Sequence, residues 1–346
     1  MTEATGAFSE INTADGSPQK KMMNNKLQGK KSPVKKLLAV ISVMTAAVTI
    51  FCGCASSQGS SGTAASSNKG NQVTASSDGG SVDPAASSYK RVVALSRSVS
   101  DMWLLAGGSL VGTTEDALDL PDMTAGVESI GTISRPNAEK VVSLKPDVVL
   151  MTLDVPSHKK FKTELENLGI AVRTVDINSF QDYDDTMKSF TSITGRDDLY
   201  QKNVQDVRTR IDTILDGYDK TRNDGKTYLL LRISATKNTA MKKDFFGCEI
   251  LDDFGLRNMA DDNSSLDELS LEAVSAADPD YIFIIYQGKE DEAENVLKEE
   301  FTSKDVWKKL TAVTGDRVYT LPKDLFEYKP NARWDEAYQY IDEILQ

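Results

Sequence analysis

The sequence predicts an α/β protein of two related lobes, each with a mainly parallel sheet, joined by one long helix. A unit of short helix, Pro-Asp turn and buried strand occurs twice, as SRPNAEKVVSLKPDVVLM (134–151) and SLEAVSAADPDYIFIIY (270–286). Buried strands alternate with amphipathic helices around both copies, and a long helical pattern lies between them. A unit that recurs so far along the chain indicates that the second lobe resembles the first.

Composition excludes several classes of function. The chain of 346 residues is 40% hydrophobic and carries a formal net charge of −12. The charge argues against nucleic acid as a partner, because such binding depends on neutralising phosphates with Lys and Arg. Three cysteines and one histidine exclude a disulfide framework, a Cys/His metal cluster and a His-rich active site.

An export signal is predicted within residues 1–53, where a basic segment precedes an apolar run at 37–51. The polar residues before Met22 are interpreted as an over-extended start. The run ends in FCGC, which resembles a bacterial lipobox with Cys54 as the lipidated residue; an ordinary secretory peptide or an uncleaved anchor are the alternatives. Residues 54–88, rich in Ser, Gly and Ala, are predicted to be a flexible tether.

The N-terminal lobe is predicted at 89–195. It opens with a buried strand at 91–96 and a helix at 98–106, which ends at two glycines. The other predicted elements are strands at 109–113, 147–152 and 170–175, a helix that begins at Pro156 and a helix at 180–194.

A bridging helix is predicted within 196–222, because apolar residues are spaced by three and four from Tyr200 to Tyr218. At ~1.5 Å per residue this helix would span roughly 33 Å and act as a strut. The C-terminal lobe, 223–346, is predicted to contain strands at 227–233, 281–286 and 317–321 and helices at 247–256, 290–301 and 334–345.

No catalytic residue is predicted. Neither a Gly-rich phosphate loop nor a G-x-S-x-G elbow follows the first strand of either lobe. The single histidine, His158, stands beside two lysines at an apparent helix start and is predicted to be exposed to solvent; the alternative is that it contacts a ligand. No metal ligands are predicted either.

A ligand cleft is predicted where the strands end, because ligands of open α/β sheets bind beyond the carboxyl ends of the strands. Cations and aromatic residues concentrate in these connections, which suits an anionic or aromatic ligand. The predicted ligand-binding residues are Arg97, Arg232, Lys237, Tyr286, Tyr328 and Arg333.

Glu139 and Glu272 occupy the same place in the two repeated units. Each lies in the first turn of a helix, after the predicted N-caps Asn137 and Ser270, where the helix dipole alone would favour a carboxylate. Because they lie at helix starts rather than at strand ends, they are not expected to bind a ligand in the cleft.

The lipobox, the tether and the doubled unit around a long helix resemble the solute-binding lipoproteins of ABC importers for iron-siderophores, haem and vitamin B12. The resemblance covers residues 89–346. It implies two Rossmann-like lobes joined by one backbone helix, with the ligand between them and little hinge closure. It also implies that Glu139 and Glu272, by their place in the motif, dock onto arginines of a permease dimer.

The resemblance makes a ferric siderophore the expected ligand, with a corrinoid or haem as alternatives; the single histidine disfavours haem. The ligand would carry the Fe3+, and the protein would have no cofactor of its own. A monomer is expected, lipid-anchored to the outer face of the bacterial cytoplasmic membrane, with an ABC permease and its ATPase as partners. A sensor or an enzyme that reuses the fold are the other readings.

Overall fold

The computed structural model describes residues 89–346, so the predicted signal segment, Cys54 and the tether lie outside the described part of the chain. The first sheet has the strand order β3-β2-β1-β6-β7, with every pair parallel, and β4 and β5 form a separate antiparallel hairpin. The elements in chain order are β1 (Val92–Ala94), α1 (Arg97–Leu105), β2 (Leu110–Thr113), β3 (Glu128–Ser129), β4 (Gly131–Thr132), β5 (Arg135–Pro136), α2 (Ala138–Ser143), β6 (Val148–Met151), α3 (Pro156–Asn167), β7 (Val172–Thr174) and α4 (Phe180–Thr194).

Within the range predicted for a bridging helix lies a continuous helical run of three parts: α5 (Asp197–Tyr200), a π-helical turn (Gln201–Gln205) and α6 (Asp206–Gly217). The π turn changes the hydrogen-bond pattern where Asn203 is buried. The carbonyl of Asn203 accepts the Tyr183 hydroxyl at 3.0 Å, and its side-chain amide donates to the carbonyl of Leu105 at 2.8 Å. The sequence pattern missed this turn because the apolar spacing continues through it.

The second sheet has the order β10-β8-β11-β12, all parallel, and β9 pairs antiparallel with β8. Its elements are β8 (Thr227–Ile233), β9 (Thr239–Ala240), α7 (Phe246–Asp253), β10 (Arg257–Asn258), α8 (Leu271–Ala277), β11 (Tyr281–Tyr286), α9 (Glu290–Leu297), α10 (Thr311–Thr314), β12 (Val318–Thr320), α11 (Lys323–Phe326) and α12 (Trp334–Leu345). Short 3-10 turns lie at 115–117, 220–223, 264–266, 307–309 and 331–333, and a second π turn at 298–302.

The repeated unit has one architecture in both lobes. After its short helix, the residue before the proline adopts a left-handed conformation, with φ of 45° at Lys145 and 43° at Asp278. The aspartate of the Pro-Asp pair then accepts backbone amides at the start of the lobe's first strand. Asp147 accepts from Lys90 and Arg91, both at 2.8 Å, and Asp280 accepts from Thr227 at 3.0 Å. The unit therefore fixes the edge from which each sheet begins.

The two sheets share one hydrophobic core. One face of each sheet contributes to a single cluster, through residues such as Ala94 and Leu150 in the first and Leu230 and Phe283 in the second. The opposite faces pack against separate clusters of their own. Side chains of α4, α6, α7 and α12 complete the shared cluster, so the lobes are joined by packing as well as by the chain.

Within the described residues, no helix has both the length and the apolar character needed to span a membrane. Cys248, the one cysteine among residues 89–346, is fully buried in the core.

Candidate ligand cleft

The carboxyl edges of the two sheets meet at residues 327–331, called here the crossing segment. Its backbone amide at Lys329 donates to the hydroxyl of Ser98 at 3.2 Å, at the start of α1. The Lys329 ammonium donates to the carbonyl of Ile177, beyond β7, and forms an ion pair at 3.3 Å with Asp154, beyond β6. The segment of the second lobe thus closes one side of a cleft whose other side is the strand ends of the first.

Asn331 holds the crossing segment in place. It is almost fully buried, and its backbone lies in the left-handed region at φ 52°, a conformation that asparagine tolerates better than most residues. Its side-chain amide donates to the carbonyl of Ser98 at 3.1 Å and to the carboxylate of Asp101 at 2.7 Å. Burial raises the pKa of Asp101, although the Asn331 bond opposes the shift.

Arg232 projects toward the cleft. Side chains alternate along β8, so Arg232 shares the inner face with Leu230 of the common core. It is half-buried, and its guanidinium lies 5.9 Å from the centroid of the Phe245 ring, within cation-π range. Among residues 89–346 no carboxylate lies within ion-pair distance of Arg232, so this cation is available to a ligand.

Neither Tyr286 nor Lys237 lies on the inner face with Arg232. Tyr286 ends β11 on the outer face, with Ile284 and Leu297, and is only 9% exposed. Burial raises its pKa. Lys237 lies exposed in the loop after β8. The sequence placed both near strand ends correctly, but the pleat directs Tyr286 away from the cleft.

Arg97, Tyr328 and Arg333 line one cavity of about 220 Å3 beside the crossing segment. Both arginines are already paired with acids. Arg97 bonds Asp119 and lies 5.9 Å from the Tyr328 ring, whereas Arg333 bonds both Asp324 and Glu336 at 2.8–3.0 Å. Hydrogen bonding to these acids raises the pKa of Arg333. A ligand here would compete with internal ion pairs for these two cations.

Glu327 is a buried carboxyl group beside the cations of the cleft. Its Oε2 atom is buried without a hydrogen-bond partner among the described residues, and burial raises its pKa despite the nearby charge of Arg232. The lysines at 323 and 329 also oppose the shift. Glu327 is therefore a carboxyl group close to the same cations that a ligand would contact.

A larger groove of about 490 Å3 lies between α6 and α12, where Arg210 pairs with Asp335. Only helical residues line it, and none comes from a strand end. The position of the groove thus does not match the strand-end location of ligand sites in open α/β sheets.

Glu139 and Glu272 are exposed in the first turns of α2 and α8, and the predicted caps are present. Asn137 accepts the Lys140 amide at 3.0 Å, and Ser270 accepts the Ala273 amide at 3.2 Å. The start of α2 nevertheless lies at the carboxyl edge, because the Asn137 amide bonds Ile130, whose own amide bonds Thr113 at the end of β2. The prediction that this helix start lies away from the strand ends was therefore wrong for α2.

The prediction that His158 is exposed was wrong. The side chain is fully buried, with Nδ1 2.8 Å from the carbonyl of Thr152 and Nε2 2.9 Å from that of Ile133. The ring thereby joins the β4–β5 hairpin to the loop after β6. Its lysine neighbours suggested a solvated face, but the helix turns the histidine inward with Phe161.

Sequence reasoning missed Lys329, Asp154 and Phe245 as cleft residues. Lys329 lies in the final connection, among residues that were singled out, and its only local signal was a cation before a proline. The partners of Lys329 come from strand ends more than a hundred residues earlier, and no spacing rule relates them. Among residues 89–346, no group of three or more His, Cys, Asp or Glu side chains is arranged to hold a metal ion.

Comparisons with known proteins agree on a family. Residues 92–325 match the family model described as periplasmic binding protein. The Fe(3+)-citrate-binding protein YfmC of Bacillus subtilis is 28% identical over 84% of this chain and 90% of its own length. The putative ABC transporter substrate-binding lipoprotein YhfQ of the same organism is 26% identical over 90% of this chain and 97% of its own. The periplasmic vitamin B12-binding protein BtuF of Vibrio cholerae shares the fold, with a TM-score of 0.61, 19% identity and coverage of 74% of this chain and 96% of that one.

Proposed function

This chain belongs to the periplasmic binding protein family, and from that premise we propose that it captures a ferric chelate for an ABC importer. Its relatives are solute-binding proteins of such importers, some of them named for iron citrate or siderophores. The protein works outside the cytoplasm and hands its ligand to a permease. It binds rather than transforms the chelate, which brings its own Fe3+.

The half-buried Arg232 carries this proposal. A guanidinium that forms no ion pair within residues 89–346, beside an aromatic ring and at the carboxyl edge of a parallel sheet, suits an anionic ligand with planar groups. Ferric chelates built on carboxylates or catecholates present anionic oxygens at their periphery. An uncharged ligand would cover Arg232 without supplying a counter-charge of its own.

A lipid on Cys54 would hold the protein at the outer face of the cytoplasmic membrane, with residues 54–88 as the tether. The full chain with Cys54→Ala should then leave the membrane fraction. Retention of that variant would identify the apolar run at 37–51 as the anchor. A monomer is the proposed state, because each lobe offers one exposed capped glutamate to a permease dimer.

The test is a ligand panel measured on the full-length protein. Trp334 packs against Phe180 and Phe246 near the crossing segment, so its fluorescence should be quenched when ferric iron binds nearby. Ferric citrate, a ferric catecholate, a neutral ferric trihydroxamate, haem and cobalamin are titrated in turn. Saturable quenching at one equivalent by an anionic ferric chelate supports the proposal. Saturation by cobalamin or haem alone would replace it with the corrinoid or haem alternative, which the structural likeness to a vitamin B12-binding protein favours.

A further inference from the structure

The cleft contains two cations against one aromatic ring. Lys329 Nζ lies 5.8 Å from the centroid of Phe245, and the Arg232 guanidinium lies 5.9 Å from the same centroid. Lys329 also lies 4.9 Å from the Phe246 ring. Two like charges beside one ring repel each other, and only nearby anions offset this repulsion.

The carboxylates near this pair supply only partial compensation. Asp154 contacts Lys329 at 3.3 Å, longer than a usual charge-assisted bond, and its side chain is 47% exposed against 15% for the lysine. Asp176 is occupied with the hydroxyl of Thr152 and the amide of Leu153. Glu327 interacts with both cations but forms an ion pair with neither. Among residues 89–346, Asp154 is therefore the one acid within ion-pair distance of Lys329, and it is placed where solvent or a ligand can replace it.

The ammonium retains capacity for a ligand. It has three donors, of which the Ile177 carbonyl and Asp154 account for two. Desolvation lowers the pKa of Lys329, and Arg232 contributes to that shift, whereas Asp154 and Asp176 oppose it. An added anion between the two cations would restore favourable interactions to both.

We propose that Lys329 is a second ligand-binding cation of the cleft, held by Asp154 in the free protein and shared with a ligand carboxylate in the complex. This assignment rests on the proposed function. The ligand class is a ferric chelate with at least two free carboxylate arms, one for Arg232 and one for Lys329. Because Lys329 belongs to the crossing segment, such a ligand contacts both lobes through one side chain.

Two variants with opposite expected effects on affinity distinguish ligand binding by Lys329 from a merely structural role. Lys329→Met removes the cation but keeps the length of the side chain, and affinity for ferric citrate should fall roughly tenfold. Asp154→Asn removes the competing carboxylate at an exposed position, and affinity should rise about threefold. The gain from Asp154→Asn should vanish when Lys329→Met is also present. A neutral ferric trihydroxamate that binds the wild type should show less than about twofold change in any variant.

The outcomes are distinct. Opposite shifts with ferric citrate, coupled in the double variant, support the assignment. If both single variants weaken both chelates alike, the Lys329–Asp154 pair only joins the lobes and the assignment is overturned. If the wild type binds the ferric catecholate but not ferric citrate, the proposed function stands and this assignment is overturned. If it binds no ferric chelate of the panel, the proposed function fails and this assignment fails with it. Asp154 lies on an exposed loop, so its variant remains informative even where Lys329→Met unfolds the protein.

Discussion

Arg232 shows how far a single residue could be predicted. Its place at the end of a buried strand was readable from the sequence, and the alternation along β8 directs it inward. The same alternation directs Tyr286 outward. That outcome could not be predicted from the sequence, because it depends on the register between β8 and β11. For Lys329, Asp154 and His158 the decisive neighbours are distant in sequence, so no local pattern could identify their roles.

Arg232→Met is expected to lower the affinity for an anionic ferric chelate about tenfold, because a charge-assisted bond is lost. Fluorescence titration measures the change. Lys159→Met, an exposed lysine on α3, is the matched control and should leave the affinity unchanged. Equal affinities in wild type and Arg232→Met would remove this arginine from the ligand site.

The buried carboxyl group of Glu249 is expected to make the stability of the protein depend on pH. It accepts the amide of Phe180 at 2.7 Å across the lobes, and burial raises its pKa to about 7, with Asp253 and Asp182 adding to the shift. The folded protein therefore binds more protons than the unfolded chain between the two pKa values, so this group's contribution to stability declines as pH rises from about 4.5 to 7.

Glu249→Gln keeps an acceptor for Phe180 without the buried charge. We expect this variant to have a higher Tm than the wild type at pH 8, and a smaller loss of Tm between pH 5 and 8. Glu299→Gln, an exposed position, is the control. Parallel profiles of Tm against pH for wild type and Glu249→Gln would contradict this role of Glu249. Part of the pH dependence should remain in the variant, because burial also raises the pKa of Asp252, to about 6.

At the scale of elements, the repeated unit was the most informative pattern in the sequence. Its helix caps, its Pro-Asp turn and its strands are present in both lobes, and several bounds agree to the residue, as for β8, β11 and α12. The pattern did not reveal that the aspartates accept backbone amides, because this role depends on which strand lies beside the turn. The two-residue strands lacked any periodicity long enough to detect.

Asp280→Ala should lower the free energy of unfolding by about 2 kcal/mol, because the amide of Thr227 at the start of β8 loses its partner. The Lys226 ion pair is lost as well. Urea denaturation measures the difference, with Asp212→Ala on the exposed side of α6 as control. A variant as stable as the wild type would show that the aspartate does not stabilise the sheet.

Residues 89–346 form two lobes around one shared core, and Glu139 and Glu272 lie exposed, one in each lobe. That the lobes would be alike was predictable from the repeat. Their common core was not, because it depends on helices from both halves packing together. A shared core resists separation of the lobes, so a permease is expected to recognise the pair of glutamates as one surface.

The double variant Glu139→Ala and Glu272→Ala is expected to abolish uptake of the chelate by cells while its affinity for the chelate stays unchanged. Radioactive iron uptake and titration of the purified protein measure the two properties separately. Glu164→Ala with Glu299→Ala removes one exposed glutamate from each lobe elsewhere and should transport normally. Normal uptake by the first double variant would rule out its docking role.

The position of iron in a crystal of the full chain with ferric citrate, found from its anomalous scattering, tests most directly where the chelate binds. We expect one iron between the carboxyl edges of the two sheets, with ligand oxygens at hydrogen-bond distance from Arg232. Iron in the groove between α6 and α12, or no bound iron at saturating chelate, would contradict it.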